Sequence, residues 1–223
     1  MNAEKFVQAL ASIRLPNVFN PYADQCGVHD QAHAAEARRN SLRSYLDAVK
    51  ALGVDTIWMG RDLGHRGGRR TGLALTDEQH LSSVARRYPG AQAAKVTTGP
   101  VMKERTAAEI WRLLDRLDVP PLLWNVFPFH PHEVDAPFTN RKFTAGELRL
   151  VDELNAELVK WLGIRSIIAI GDDAARYGAK FGAPVERVRH PSFGGTSDFR
   201  AGMQRIYKLP DIGAASSQQG PLF

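Results

Sequence analysis

Two hydrophobic periods alternate along this chain, and each predicts a different kind of element. Apolar residues at every third or fourth position indicate amphipathic helices, whereas short apolar runs bounded by glycine, proline or polar residues indicate buried strands. The helical spacing covers residues 2–14, Ala34–Leu52, Thr76–Arg87, Thr106–Leu117, Thr144–Leu162 and Ser197–Ile206. The strand-like runs are Val54–Met59, Leu122–Val126, Ile164–Ile170 and Val185–Arg189.

Local signals mark several boundaries of these elements. Thr144 is followed three residues later by Glu147, which is the pattern of a helix capping box. Asp172 or Asp173 is expected to cap the helix that follows the third strand. Two prolines exclude a helix interior from Leu15–Asp24, which is expected to be irregular.

Strands that alternate with helices predict an α/β fold, in which a parallel sheet is covered by helices on both faces. We expect three αβα layers around a four-stranded, mainly parallel central sheet. Residues 1–210 are predicted to form a single domain, and the Gly/Ser/Gln-rich residues 211–223 a disordered tail. Ligands of such folds bind at the carboxyl ends of the strands.

Composition excludes several classes of protein. The apolar runs Val54–Gly60 and Ile164–Gly171 are far shorter than a membrane span. The N-terminus lacks the layout of a secretion signal, so a cytoplasmic protein is expected. A single Cys26 excludes an internal disulfide and a cysteine-held iron–sulfur cluster. No cofactor or metal is predicted: His130 and His132 have no third ligand nearby.

The net charge of +5 and the pI of about 9.5 favour a polyanionic partner. The distribution of arginine also favours an anionic partner, because two groups of arginines lie in or near the segments that carry the candidate catalytic residues. These arginines are Arg61, Arg66, Arg69 and Arg70 in one loop, and Arg187, Arg189, Arg200 and Arg205 near the C-terminus. A solvated loop remains the alternative interpretation.

A glycine-rich segment follows the first predicted strand. Asp62 lies two residues past the predicted strand end at Gly60, where an Asp is commonly a turn former or a helix cap. Gly64, Gly67 and Gly68 leave backbone N–H groups free to bind an anion. The segment lacks the Gly-Lys-Ser/Thr of a P-loop and the Gly-x-Gly-x-x-Gly of a dinucleotide site.

Polar or exposed residues also follow two other strands. Asn125 ends an apolar strand, where its amide either has a structural partner or reads the edge of a base. His190 follows the last strand and is able to donate to an anion that develops on a leaving group. Phe193, on the turn that follows, is either a core anchor or a wedge that enters a base stack.

These motifs, in this order, resemble the uracil-DNA glycosylase superfamily. Gly60–His65 aligns with the Gly-Gln-Asp-Pro-Tyr-His motif, and Gly72–Leu75 with Gly-Leu-Ala-Phe. Leu-Leu-Trp-Asn ending at Asn125 matches the strand with the uracil-reading Asn, and His190–Ser192 matches the His-Pro-Ser motif. The resemblance spans most of the chain and implies a uracil-DNA glycosylase-like fold.

The resemblance also implies an activity, which is monofunctional hydrolysis of the N-glycosidic bond of a flipped base. Asp62 would stabilise the sugar cation and position water, and backbone N–H groups near Arg61 and His190 would hold the uracil anion. Asn125 would read the O4/N3 edge. The segments Trp58–Thr76 and Val188–Gly195 contain no lysine, which argues against a Schiff-base lyase.

Two sets of binding residues follow from the resemblance. The substrate-binding set is Gly60, Arg61, Gly64, Leu75, Asn125, Phe19 and Tyr22. The DNA-binding set is His65, Arg66, Arg69, Arg70, Arg189, Ser192, Phe193 and Gly194. The expected partner is uracil-containing DNA, single- or double-stranded, bound by a monomer that carries out base excision repair.

Four departures from the family pattern indicate a divergent class, and the single Cys26 separates it from the branches that carry an iron–sulfur cluster. Gly64 replaces the tyrosine that blocks the methyl group of thymine, and Leu75 replaces the aromatic residue that stacks on uracil. Phe19 and Tyr22 are the residues predicted to supply that stacking. Leu63 replaces the proline of the first motif. Phe193-Gly194 replaces the usual wedge, so Phe193 would fill the gap left by a flipped base. Because Gly64 replaces the tyrosine, 5-substituted or other damaged bases are also possible substrates.

Two other functions fit the same residues. One is a catalytically weak protein that binds uracil or abasic sites in DNA, as the altered positions 64 and 75 would allow. The other is a small-molecule hydrolase on the same scaffold, because a fold alone does not determine a function.

Overall fold

The computed structural model describes residues 1–210, so the predicted tail 211–223 lies outside the described residues. The helices are α1 (Ala3–Ser12), α2 (Ala34–Ala51), α3 (Gly68–Thr71), α4 (Leu81–Arg87), α5 (Arg105–Leu114), α6 (Ala145–Leu162), α7 (Asp172–Gly178) and α8 (Thr196–Tyr207). The strands are β1 (Val18–Phe19), β2 (Thr56–Asp62), β3 (Leu122–Phe127), β4 (His130–Pro131), β5 (Ser166–Ile170) and β6 (Val185–Val188). Two short 3-10 helices cover Glu78–His80 and Ala179–Phe181.

The central sheet has four parallel strands in the order β3-β2-β5-β6. In its register Gly60 of β2 pairs with Asn125 of β3, and Asp62 pairs with Phe127. A separate antiparallel pair joins β1 to β4. The predicted α/β class and the four-stranded sheet are confirmed, and every pairing within the central sheet is parallel.

Helices cover both faces of the sheet. Trp58 of β2 donates from Nε1 to the hydroxyl of Tyr207 in α8 at 2.7 Å. Trp124 of β3 packs on Phe6 of α1, with ring centroids 5.6 Å apart. Since Trp58 is in register with Leu123, the next residue, Trp124, points to the opposite face. Helices α8 and α1 therefore lie on opposite sides, which gives the three expected layers.

The capping box before α6 forms as predicted. Thr144 Oγ1 accepts from the backbone N–H of Glu147 at 3.2 Å, and the Glu147 carboxylate accepts from the N–H of Thr144 at 2.6 Å. Helix α7 differs from the prediction, because Gly171 is its N-cap and both following aspartates lie in its first turn. Among residues 1–210, no helix is long and apolar enough to cross a membrane.

Strand β2 is longer than predicted, and this changes the position of a functional residue. The strand continues through Gly60 and Arg61 to Asp62, so Asp62 is its last residue rather than part of the loop. The pairing of Asp62 with Phe127 on β3 explains the extension, since apolar spacing does not detect strand residues that are polar. The backbone of Asp62 is therefore held in place by the pairing of β2 with β3.

Candidate active-site cleft

A cleft of about 860 Å³ opens at the carboxyl ends of β2, β3 and β5. Its walls come from all three motifs and from segments between them. The lining residues are Gly60, Arg61, Asp62, Leu63, Gly64, Gly68, Leu75, Glu104, Thr106, Asn125, Asn140, Lys142, Ile170, Gly171, Asp172, Asp173, Arg176, Arg189, His190, Ser192 and Phe193. This is the edge at which parallel α/β sheets bind ligands.

Asp62 presents a shielded carboxyl group at the end of β2, with its side chain only 8% exposed. Burial raises its pKa, and the ion pair with Arg61 opposes this shift. Arg61 Nε donates to Oδ2 at 2.6 Å, and Arg61 is itself 3.7 Å from Asp173. The charged form of Asp62 is thus stabilised by a neighbour that is also held in place.

Asn125 is buried at the end of β3, and its amide has no partner. Within residues 1–210, neither Oδ1 nor Nδ2 of Asn125 makes a hydrogen bond. A Cβ on Gly60 would collide with Oδ1 and lie 3.0 Å from Leu75 Cδ2, so position 60 needs glycine. An unpaired buried amide costs about 1–3 kcal/mol. The structural partner that would account for Asn125 is not found in the described part of the chain.

His190 is held as a neutral donor. The backbone N–H of Ser192 donates to Nδ1 of His190 at 3.1 Å, so the proton of the neutral ring is on Nε2. Burial, with the positive charges of Arg61 and Arg189, lowers the pKa of His190 to about 4. At neutral pH, Nε2–H is therefore available to donate to an acceptor in the cleft without carrying a charge.

Phe193 projects from the rim of the cleft. Its side chain is 97% exposed, which is the highest value among the large apolar residues described. The backbone of Phe193 and of Gly194 is left-handed, with φ of 50° and 77°. The alternative in which Phe193 is a core anchor is therefore wrong. Ser192 lies at the same rim and contacts His190 through its hydroxyl at 2.7 Å.

Comparison with known proteins identifies a shared fold but no matching family. No family model matches the chain, and no curated protein matches it. Among solved structures, wild-type SMUG2 from Pedobacter heparinus superposes with a TM-score of 0.64 at 14% identity, covering 92% of this chain and 95% of that one. The two proteins share a fold. At 14% identity the likeness concerns the fold alone.

Two residues predicted to stack on a base do not line the cleft. Phe19 is buried, and the guanidinium of Arg69 lies over its ring at 3.8 Å from the centroid. Tyr22 is also buried, and its hydroxyl donates to the carbonyl of Gly72 at 2.9 Å. Both rings therefore contact the glycine-rich segment on its side away from the cleft. The prediction for Phe19 and Tyr22 is wrong, because Phe19 lies in β1, which pairs with β4 away from the cleft, and Tyr22 packs against Phe129.

Arg69 and Arg70 also have structural partners instead of a surface position. Both side chains are buried, at 5% and 6% residue exposure. Arg69 lies 3.1 Å from Nδ1 of His130, and Arg70 Nε donates to the carboxylate of Glu78 at 3.0 Å. The assignment of these two arginines to DNA contact is therefore wrong. Burying a guanidinium requires such partners, and sequence alone does not show them.

The remaining predicted DNA contacts are accessible. Arg66 is exposed beside the glycine-rich turn, and Arg189 is exposed at the cleft. His65 is half-buried, and its backbone N–H donates to Asn140 Oδ1 at 3.1 Å. Leu75 lines the cleft, as the resemblance implies for its position, with a left-handed backbone at φ 55°.

Two charged residues of the cleft were missed by the sequence analysis. Lys142 reaches it from the segment before α6, and its ammonium group pairs with Asp173 at 3.0 Å. Glu104 reaches it from the loop before α5 and packs against Gly64 and Gly67. No motif marks either residue, because both come from segments far along the chain that only the fold brings to the cleft.

Proposed function

We propose that this protein is a monofunctional DNA glycosylase that excises uracil from single- or double-stranded DNA as a monomer. The observation that carries the proposal is the unpaired, buried amide of Asn125 in one cleft with Asp62 and His190. An amide offers an acceptor oxygen and a donor NH2 group, which match N3–H and O4 of uracil. The shared fold with SMUG2, a member of the superfamily that the motifs resemble, supports the proposal.

The chemistry follows from the charges of the cleft. The N-glycosidic bond breaks with both electrons passing to the base, which leaves an oxocarbenium-like sugar and a uracil anion. The Asp62 carboxylate stabilises the cation and orients the water that adds to the sugar carbon, and the proton that this water loses neutralises the uracil anion. Nε2–H of His190 donates to the oxygen on which negative charge develops, and a preformed donor in a shielded cleft is effective for this.

Hydrolysis, not lyase chemistry, is the reaction that the position of Lys142 supports. Its side chain is 70% exposed and its Nζ pairs with Asp173 at 3.0 Å, so this amine is engaged by a carboxylate instead of being free to attack the sugar carbon. The abasic product should therefore stay intact until it is treated with alkali. Borohydride should not trap a covalent protein–DNA product.

Release of uracil tests the proposal directly. Oligonucleotides with one uracil, single-stranded or paired with guanine, are incubated with the protein, and free uracil is measured by mass spectrometry together with alkali-sensitive sites. Matched oligonucleotides with cytosine or thymine are the control. Free uracil from the first set alone is the expected result. Binding without any release would contradict the proposal and favour a protein that only recognises the lesion.

We expect Phe193→Ser to slow release from duplex DNA about tenfold while changing release from single strands less than about threefold. A flipped base leaves a gap in the stack, and filling it with an aromatic ring is worth about 1–3 kcal/mol. Single strands have little stacking to replace. Initial rates on the two substrates measure the difference.

Val119→Ser is the matched control for this variant. Val119 is also an exposed apolar residue, but it precedes the amino end of β3, at the edge of the sheet opposite the cleft. The control should leave both rates unchanged. Equal losses on duplex and single strands for Phe193→Ser would exclude a wedge role.

A further inference from the structure

Glu104 places in the cleft a carboxyl group without an ion-pair partner, whereas the aspartates that line the cleft are all paired. Its side chain packs on the glycine-rich turn, where a Cβ built on Gly64 would lie 3.0 Å from Oε1. A Cβ on Gly67 would collide with Oε2. Neither carboxyl oxygen makes a hydrogen bond or an ion pair with any other group in residues 1–210. A carboxyl and any side chain at position 64 would thus compete for the same space.

This carboxyl is close to the point of ionisation at neutral pH. Burial, together with the negative charges of Asp77 and Asp62, raises the pKa of Glu104 to about 7, while Arg66 opposes the shift. Asp77 accepts the backbone N–H of Glu104 at 2.6 Å, so it is fixed next to this residue. A neutral carboxyl is a hydrogen-bond donor as well as an acceptor, whereas the ionised form only accepts.

We propose that Glu104 is a specificity-determining residue, whose neutral carboxyl donates to an acceptor on the edge of the base that faces Gly64. The inference rests on the proposed function and extends it to the choice of base. Uracil has only C–H groups on the edge opposite to the one that Asn125 would read. A purine has the acceptor N7 on the corresponding edge. The Glu104 carboxyl therefore favours the excision of damaged purines more than an apolar side chain at the same position would.

The preference for an acceptor depends on pH with a definite sign. The donated hydrogen bond exists below the pKa of Glu104 and is lost as the pH rises through about 7. Above that pH, the carboxylate repels the lone pair of an acceptor. The ratio of purine to uracil excision is therefore expected to be higher at pH 6 than at pH 8.

The first experiment compares kcat/KM on single-stranded oligonucleotides with hypoxanthine or uracil at pH 6 and pH 8. Glu104→Leu should lower the hypoxanthine-to-uracil ratio about tenfold at pH 6, which is the worth of one hydrogen bond. Glu104→Gln keeps a donor at every pH, so it should retain the ratio and remove its pH dependence. Circular dichroism and the urea unfolding midpoint of each variant show that it folds.

The second experiment measures binding, which separates recognition from leaving-group chemistry. In an inactive Asp62→Asn background at pH 6, oligonucleotides with hypoxanthine or 7-deazahypoxanthine are compared. Replacing N7 by C–H should weaken binding about fivefold to tenfold with Glu104 present and not at all in the double variant with Glu104→Leu.

The outcomes distinguish the two proposals. A wild-type protein that releases neither base overturns the proposed function. Uracil release without hypoxanthine release overturns only the inference on Glu104. So does an unchanged ratio in Glu104→Leu, an equal loss on both bases, or a deaza effect that persists in the double variant.

Discussion

Asp62→Asn is expected to lower kcat for uracil release about 10³-fold while changing the affinity for uracil-containing DNA less than about threefold. The carboxylate stabilises charge that develops only in the transition state, and it orients the attacking water. An amide of the same size preserves packing against Arg61 but carries no charge. Single-turnover rates and the binding of a non-cleavable uracil oligonucleotide separate the two effects.

Asp172→Asn is the matched control, because Asp172 lines the same cleft but pairs with Arg187 at 2.7 Å on an exposed surface. Its rate should stay within threefold of the wild type. In the wild type, the rate should fall as the pH is lowered through the raised pKa of Asp62, since protonation removes the stabilising charge. A variant Asp62→Asn that retains more than a fifth of the activity would contradict the assignment.

Asn125→Leu is expected to change activity and stability in opposite directions. Uracil release should fall about 10²-fold, because the donor and acceptor that match the base are lost. The free energy of unfolding should rise by about 1 kcal/mol or more, since leucine has a similar size and removes an unpaired amide from the interior. Urea unfolding and initial rates measure the two changes.

Asn155→Leu gives the contrast. Asn155 is equally buried, but its Oδ1 accepts from Trp124 Nε1 at 2.9 Å and its Nδ2 donates to the carbonyl of Val126 at 2.7 Å. Removing this amide leaves two buried partners unpaired, so the free energy of unfolding should fall by about 2 kcal/mol or more. If Asn125→Leu is destabilised to the same extent, its amide has a structural role and the functional assignment fails.

Most of the fold was predictable because its signals are local. Apolar spacing detected all four strands of the central sheet, and the capping box at Thr144 marked the start of α6 within one residue. The end of β2 was predicted too early, because Arg61 and Asp62 are polar and are held in the strand by pairing with β3. Periodicity cannot report a pairing that involves another segment.

The site was predictable only where its residues stand in motifs. Asp62, Asn125 and His190 do line one cleft, because the carboxyl ends of parallel strands meet at one edge. Glu104 and Lys142 escaped detection, since loops outside the motifs bring them there.

The sequence by itself determined the alternation of helices and strands and the order of three polar groups at strand ends. Both depend on neighbouring residues and on the direction of parallel strands. The tertiary structure alone decided that Arg69 and Arg70 are internal, that Phe19 and Tyr22 support the turn from behind, and that the Asn125 amide has no partner in residues 1–210. Burial and hydrogen bonding are set by contacts between distant segments, and these same contacts determine which polar groups remain free to bind a ligand.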